Sequence, residues 1–346
     1  MSLYEPLPAP ALTAYADLLT ALMRAPVSSR GVSYLTRTVK GRRYWYLQYV
    51  IGGSKKSRYL GPVSAELDPL IERARSLTVA DNDDRAVRER LVATGIAAGL
   101  VTVSAAEGRV YEALAQSGLF AGGATLVGTH AFIALGNQLG VRWQVGTRTE
   151  DIDIGHDPDI SLAVVDPKED LETILRRAEK GFFAVPAIDR GSPSTSFKVR
   201  GKALSVSLLT PARGKEQAPA VHLEHLRAAA EPVRFLEYLI EDSQPAAVPY
   251  GAGVMVRIPD AARFALHKLV VSQRRPQLQA VKSRKDIEQA AAVITCLAEL
   301  RPGDLRRAWD ASERLSAKFS RQLSSAVRLL PENAKQAISS GTGASP

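Results

Sequence analysis

Two short segments restrict this chain more than any other part of it. Residues 125–132, TLVGTHAF, read as an apolar strand that turns at Gly128-Thr129 into a helix. Residues 149–157, TEDIDIGHD, read as a second strand that presents Asp151 and Asp153 on one face while Ile152 and Ile154 face a core. Residues two apart in a strand point the same way, so the two carboxylates can converge on one hard cation. Mg²⁺ is typically held by few carboxylates together with substrate phosphates, which makes Asp151 and Asp153 candidate metal ligands and catalytic residues.

The first segment suits an anion. Gly128 allows close backbone approach, Thr129 offers a hydroxyl, and the helix expected over about 129–139 points its unpaired amides and positive dipole end at whatever sits there. His130 is a further candidate phosphate contact, with helix capping or packing as its other reading. A P-loop fits poorly: Gly123 and Gly128 have the right gap, but Thr129-His130 replaces the Lys-Ser/Thr pair that the mechanism needs. Two unpaired carboxylates repel, and the arrangement persists where a cation or basic partner neutralises it. The alternatives are a solvated edge strand, or a pair matched by Arg142 or Arg148. Asp157 and Asp159 read as turn residues around Pro158.

The chain has 346 residues, 45% of them hydrophobic, enough for one large core or two ordinary ones. A single cysteine, Cys296, excludes an internal disulfide and a Cys-rich zinc site and fits a reducing compartment. No basic-then-apolar leader opens the sequence and no stretch approaches the roughly 20 apolar residues of a membrane span, so a cytoplasmic location without membrane contact is expected.

The net charge of +9 is concentrated. From Leu18 to Ala65 there is no acid, while Arg24, Arg30, Arg37, Lys40, Arg42, Arg43, Lys55, Lys56 and Arg58 are all basic. Aromatic and β-branched runs at 31–39, 43–51 and 57–60, separated by Lys40-Gly41-Arg42 and Gly52-Gly53-Ser54, predict a three-stranded antiparallel meander. Tyr44 and Tyr46 would lie on the face opposite Trp45. Such a sheet can stack bases and follow phosphates, which makes RNA or DNA a candidate partner and Arg42, Arg43, Lys55 and Lys56 candidate contacts. The other reading has the aromatics building a small core or docking the sheet on the next domain. The sheet loosely resembles the small amino-terminal sheets of phage-type integrases, without that family's catalytic residues.

Helical periodicity is expected over 65–79 and 83–100, and Ser104 to Glu107 forms a capping box that opens a helix through Gln116. Pro259-Asp260 begins a helix to about Gln273, on which Arg263, His267 and Arg274 recur at helical spacing beside Lys268, a candidate nucleotide contact. Asp286–Leu300 reads as an Ala-rich packing helix and 303–329 as further basic helices. The expected division is 1–64, an N-terminal helix and basic sheet; 65–118, a helical connector; 119–258, the domain holding both motifs; 259–335, a helical domain; and 336–346, a disordered tail.

From Leu126 through Leu209, and on towards Leu300, the chain resembles bacterial nucleotidyltransferase-fold proteins of the polymerase-β-like superfamily, including the AbiEii-related group. Val127-Gly128-Thr129 and Thr149-Glu-Asp151-Ile-Asp153 correspond to that superfamily's two signature elements. The segments 196–211, 257–275 and 284–290, with the YWYLQ and RYLGP stretches at 44–48 and 58–62, are similar to a basic branch of the fold. The resemblance implies an α+β nucleotidyltransferase fold, a mixed sheet flanked by helices, preceded by a small antiparallel sheet and followed by helices. It also implies an NTP substrate, Mg²⁺ or Mn²⁺ on Asp151 and Asp153, and nucleotidyl transfer to a hydroxyl of RNA, protein or a small molecule. One departure stands out. Where the family places a third carboxylate, in a V-D-L-L-T-P-like run, this chain has Val206-Ser207-Leu208-Leu209-Thr210-Pro211. Serine supplies neither the charge nor the base, so the alternative is a silent nucleic-acid-binding module, with a toxin–antitoxin or phage-defence role conceivable from the AbiEii-like resemblance.

Overall fold

The computed structural model describes residues 2–24, 32–39, 41–51, 54–147, 149–158, 170–187, 192–213, 219–275 and 277–342. Strand β1 (Tyr4–Pro6) and helix α1 (Ala9–Arg24) precede β2 (Val32–Val39), β3 (Arg42–Ile51), β4 (Ser54–Pro62) and the long helix α2 (Leu67–Ala98). Next come α3 (Ala105–Gln116), β5 (Thr125–Val127), α4 (Gly128–Leu139), β6 (Val141–Trp143), β7 (Asp151–Gly155), α5 (Leu171–Ala178), β8 (Phe182–Ala184), β9 (Ser196–Val199) and β10 (Ser205–Pro211). The chain continues through β11 (Val221–Leu223), β12 (Ala228–Val233), α6 (Leu236–Ile240), β13 (Gln244–Val248) and β14 (Val254–Ile258). It ends in α7 (Ala261–Arg274), α8 (Ala280–Leu300), α9 (Pro302–Leu315), α10 (Ala317–Val327) and α11 (Glu332–Thr342). These elements make a mixed α+β architecture.

The main sheet has the order β11-β12-β10-β7-β5, with the β8-β9 hairpin joined to β10. Strand β7 lies between β10, to which it is parallel, and β5, to which it is antiparallel. The register sets Asp151 opposite Ser205 and Asp153 between Ser207 on one side and Val127 on the other. Alternation sends Ile152, Ile154, Val206 and Leu208, all fully buried, into the core and the acids and serines to the other face. Helix α4 packs behind the sheet. Phe132 stacks on Trp143 at 4.7 Å, and the indole Nε1–H donates to the Phe132 carbonyl at 2.6 Å.

Several sequence expectations change. Helix α2 is one continuous element of 32 residues instead of two segments; no Gly or Pro lies between Leu70 and Ala93 to stop it, and Gly99 in the left-handed region closes it. The first residues are not a separate unit: β1 pairs with β6, and the Tyr4 hydroxyl donates to Glu299 Oε2 on α8 at 2.6 Å. One core runs from Tyr4 to Ile338, across the boundary expected at 258/259. The tail expected from 336 is helical as far as Thr342, with Ile338 and Thr342 buried. No helix among the described residues is long and apolar enough to cross a membrane.

The basic segment forms the expected meander, β2-β3-β4. Trp45 is buried, and its Nε1–H donates to Asp68 Oδ1 at 2.8 Å, tying the sheet to the first turn of α2. At the opposite end of α2, Val92 packs with Ala11, Tyr15, Leu18 and Leu22 of α1.

Candidate active-site cleft

A cleft of about 940 Å³ opens over the polar face of the sheet. Its floor includes Asp151 and Asp153 of β7, Ser207 of β10 and Glu231 of β12, with Gly128 and Thr129 at one edge. Its wall is built by α7 and the start of α8. Phe264, His267, Lys268, Val271 and Arg275 recur at three- and four-residue spacing, one face of a helix, and all line the cleft.

Gly128 is required by contact and by backbone. Its φ is +64°, and a Cβ there would lie 2.5 Å from Asp153 Oδ2, inside any real contact distance. The start of α4 has no side-chain cap and no acid in its first turn, so its amides stay available to an anion. Thr129 is steadied by Gln289, whose Nε2–H₂ donates to Thr129 Oγ1 at 3.4 Å and to the Gly146 carbonyl at 2.7 Å.

The two acids differ. Asp151 is exposed and accepts from Ser205 Oγ at 2.6 Å. Burial pushes the Asp153 carboxyl up to about 6; the Lys268 ammonium opposes that shift and the neighbouring Asp151 adds to it. Of the basic partners considered for this pair, Arg142 donates instead to the Gly99 carbonyl at 2.9 Å. Arg148 lies outside the described residues.

The cations that face the acids come from the wall. Asp286, buried at the start of α8, accepts from Lys268 Nζ and from Arg275 Nε, each at 2.6 Å. Lys282 and Lys285 line the same wall. Burial and the nearby Lys268 charge hold the Lys285 ammonium below its ordinary range. A carboxylate floor thus faces a wall crowded with positive charge.

Three basic residues singled out in the sequence lie elsewhere. His130 is not among the cleft-lining residues: its imidazole is buried edge-on against Tyr111, with Nε2 3.7 Å from Glu107 Oε1, and burial lowers its pKa to about 4. The helix orientation explains this, since Gly128 and Thr129 face the cleft while the next position turns back towards α3. Arg263 also points away, donating to Glu241, Asp242 and the Tyr238 carbonyl, and Arg274 lies 5.8 Å over the Phe235 ring. Sequence reasoning did not single out Asp286, Arg275 or Gln289. The available signal was a buried-type Asp and Gln inside an Ala-rich helix, where polar residues three apart share a face.

His267 is buried in the wall, and burial followed by the Lys268 charge lowers its pKa from 6.5 to about 3. A histidine neutral in the fold but free to protonate when unfolded leaves stability intact above pH 6.5 and removes it as pH falls towards 3. The slope is about 1.4 kcal/mol per pH unit. His267→Gln should therefore lose less melting temperature between about pH 7 and pH 5 than the wild type. Equal losses would mean that His267 protonates without penalty.

Among the described residues no group of three or more acidic, His or Cys side chains is placed to hold a metal alone. The Asp151/Asp153 pair fits a hard cation that is shared with phosphate oxygens, and does not fit an all-protein cage.

A glycine turn at an open helix start, a pair of strand-borne acids and a facing cationic wall meet around one cleft. The chain belongs to the nucleotidyltransferase family: residues 105–313, from α3 into α9, match the family described as Nucleotidyltransferase, and every cleft residue falls within that span. No curated protein matches the chain, and no solved structure matches it.

Proposed function

We propose that the cleft binds an NTP with Mg²⁺ or Mn²⁺ and transfers its nucleotidyl group to a hydroxyl acceptor on RNA, protein or a small molecule. The supporting observation is the opposition of Asp151 and Asp153 to the Lys268–Asp286–Arg275 wall. Asp151 and Asp153 would hold the metal. A divalent cation at such a site neutralises phosphate charge and polarises the phosphoryl group under attack.

The remaining work falls to the chain. The amides at Gly128 and Thr129 hold phosphate oxygens, and Lys268 and Arg275, fixed by Asp286, carry the charge of the departing end. The acceptor oxygen forms a bond to the α-phosphorus, the bond to the bridging oxygen breaks, and pyrophosphate leaves with the electron pair. The hydroxyl proton passes to water in the open cleft, because Ser207 is not a base. Catalysis here rests on positioning and electrostatics.

Ser207 favours a second reading, a member that binds nucleotide without transferring it and uses its basic sheet on nucleic acid; the AbiEii-like motifs make a toxin–antitoxin or phage-defence setting the place to look for partners. The deciding experiment incubates the protein with each labelled NTP, Mg²⁺ or Mn²⁺, and total cellular RNA or protein, beside Asp151→Asn/Asp153→Asn. Transfer by the wild type alone supports the first reading. Calorimetric binding of metal–nucleotide without transfer supports the second, and binding unchanged in the double variant overturns both.

A further inference from the structure

The two faces of the β2-β3-β4 sheet have different fates. On one, Trp45 is buried and hydrogen-bonded to Asp68 of α2, and Arg43 lies on this side, its Nη2–H donating to Thr36 Oγ1 at 3.5 Å. On the other, Tyr44 and Tyr46 each pack against Tyr59, with ring centroids 5.8 and 5.7 Å apart, and Tyr59 stays 53% exposed. The Arg37 guanidinium sits 5.1 Å over the Tyr46 ring. Strand alternation puts Arg42 on the tyrosine face. The side chains of Lys55 and Lys56 lie outside the described residues.

From this we infer that the tyrosine face is a docking surface for single-stranded nucleic acid, with Tyr44, Tyr46 and Tyr59 stacking bases and Arg37 and Arg42 on the phosphates. Charge complementarity selects the occupant: the whole segment from Leu18 to Ala65 holds no acid, so it repels basic partners and attracts polyanions. The ring faces select the strand type, because unpaired bases stack on aromatics whereas a duplex offers mainly phosphate. The surface is distinct from the cleft. It is anchored at Asp68, 24 residues before the point where Val92 packs on α1, about 36 Å along the helix. Its occupancy therefore holds under either reading of the cleft.

The test is fluorescence anisotropy of the full chain with labelled mixed-sequence single-stranded RNA, single-stranded DNA and the corresponding duplex, without NTP or metal. Arg42 and Arg43 are adjacent in sequence, equal in charge and opposite in face, so they form an internal control. Arg42→Gln should weaken single-strand binding several-fold and lower its salt dependence, while Arg43→Gln leaves it nearly unchanged. Tyr59→Ala should cost about tenfold and Tyr59→Phe should retain affinity, since stacking needs the ring and not the hydroxyl. Asp151→Asn/Asp153→Asn should bind the strand as the wild type does. RNA and DNA arms that differ identify the natural strand and support the inference. Tighter binding to duplex, equal losses for Arg42→Gln and Arg43→Gln, or no binding at low salt overturns it and leaves the cleft reading untouched.

Discussion

Asp286→Asn is expected to lower the melting temperature by about 4–7 °C and to leave a protein that added tripolyphosphate partly restores. Asp286 is almost fully buried and is the common acceptor for Lys268, itself 11% exposed, and Arg275, 26% exposed. Removing one partner of a buried ionic group strands the others, at about 3–5 kcal/mol. Spread over the unfolding entropy of a chain this size, that cost gives the stated shift. The surface pair Arg306–Asp310 is a useful contrast. Both of its side chains are at least 41% exposed, and Asp310→Asn should change stability by less than about 1 kcal/mol. A polyanion in the cleft would supply part of the charge that Asn lacks, so the variant should gain more from tripolyphosphate than the wild type does. Thermal melts with and without tripolyphosphate measure both effects. A fall no larger than that of Asp310→Asn would show that the wall does not depend on this acid.

Ser207→Asp is the second large effect, and it runs in the opposite direction. Ser207 faces the cleft in register with Asp153, so an aspartate there would complete a triad on adjacent strands. The added ligand should tighten Mn²⁺ binding by about tenfold and raise nucleotidyl transfer by about 100-fold, roughly 2.7 kcal/mol of transition-state stabilisation. The neighbouring position provides the control. Ser205 donates to Asp151, so Ser205→Asp replaces a donor with a like charge and should weaken Mn²⁺ binding. Calorimetry with Mn²⁺ alone separates the metal effect from turnover. If Ser207→Asp changes neither metal affinity nor transfer, the strand does not hold a vacant ligand position.

The sequence exposed whatever depends on local period. The alternation of Ile and Asp in β7, the glycine before α4 and the meander of the basic segment are each written in a few consecutive residues, and the register of the main sheet keeps them where alternation puts them. What depends on pairing across the fold was not legible. The local hint at Asp286 is only its spacing from Gln289 in an Ala-rich helix, because its role arises from Lys268 on α7 and Arg275 just beyond it. His130 shows the converse: its neighbours Gly128 and Thr129 line the cleft, yet a turn of 100° per residue carries the next side chain into the core. Apolar periodicity marks two segments, 65–79 and 83–100, where the structure has the single helix α2, because a helix ends where its backbone is stopped and not where its apolar pattern lapses.

The docking of β1 on β6 separates two notions of a unit. The stretch that can be matched to the family begins at residue 105, but Trp143 inside it is covered by Tyr4, and Ala247 inside it donates its amide hydrogen to the Tyr15 hydroxyl. A fragment cut to 105–313 would keep every cleft residue and expose the apolar surfaces that α1, β1, α10 and α11 now cover. Heredity is legible over a shorter length than the one that folds, and a fragment chosen by likeness alone should be recovered as aggregate.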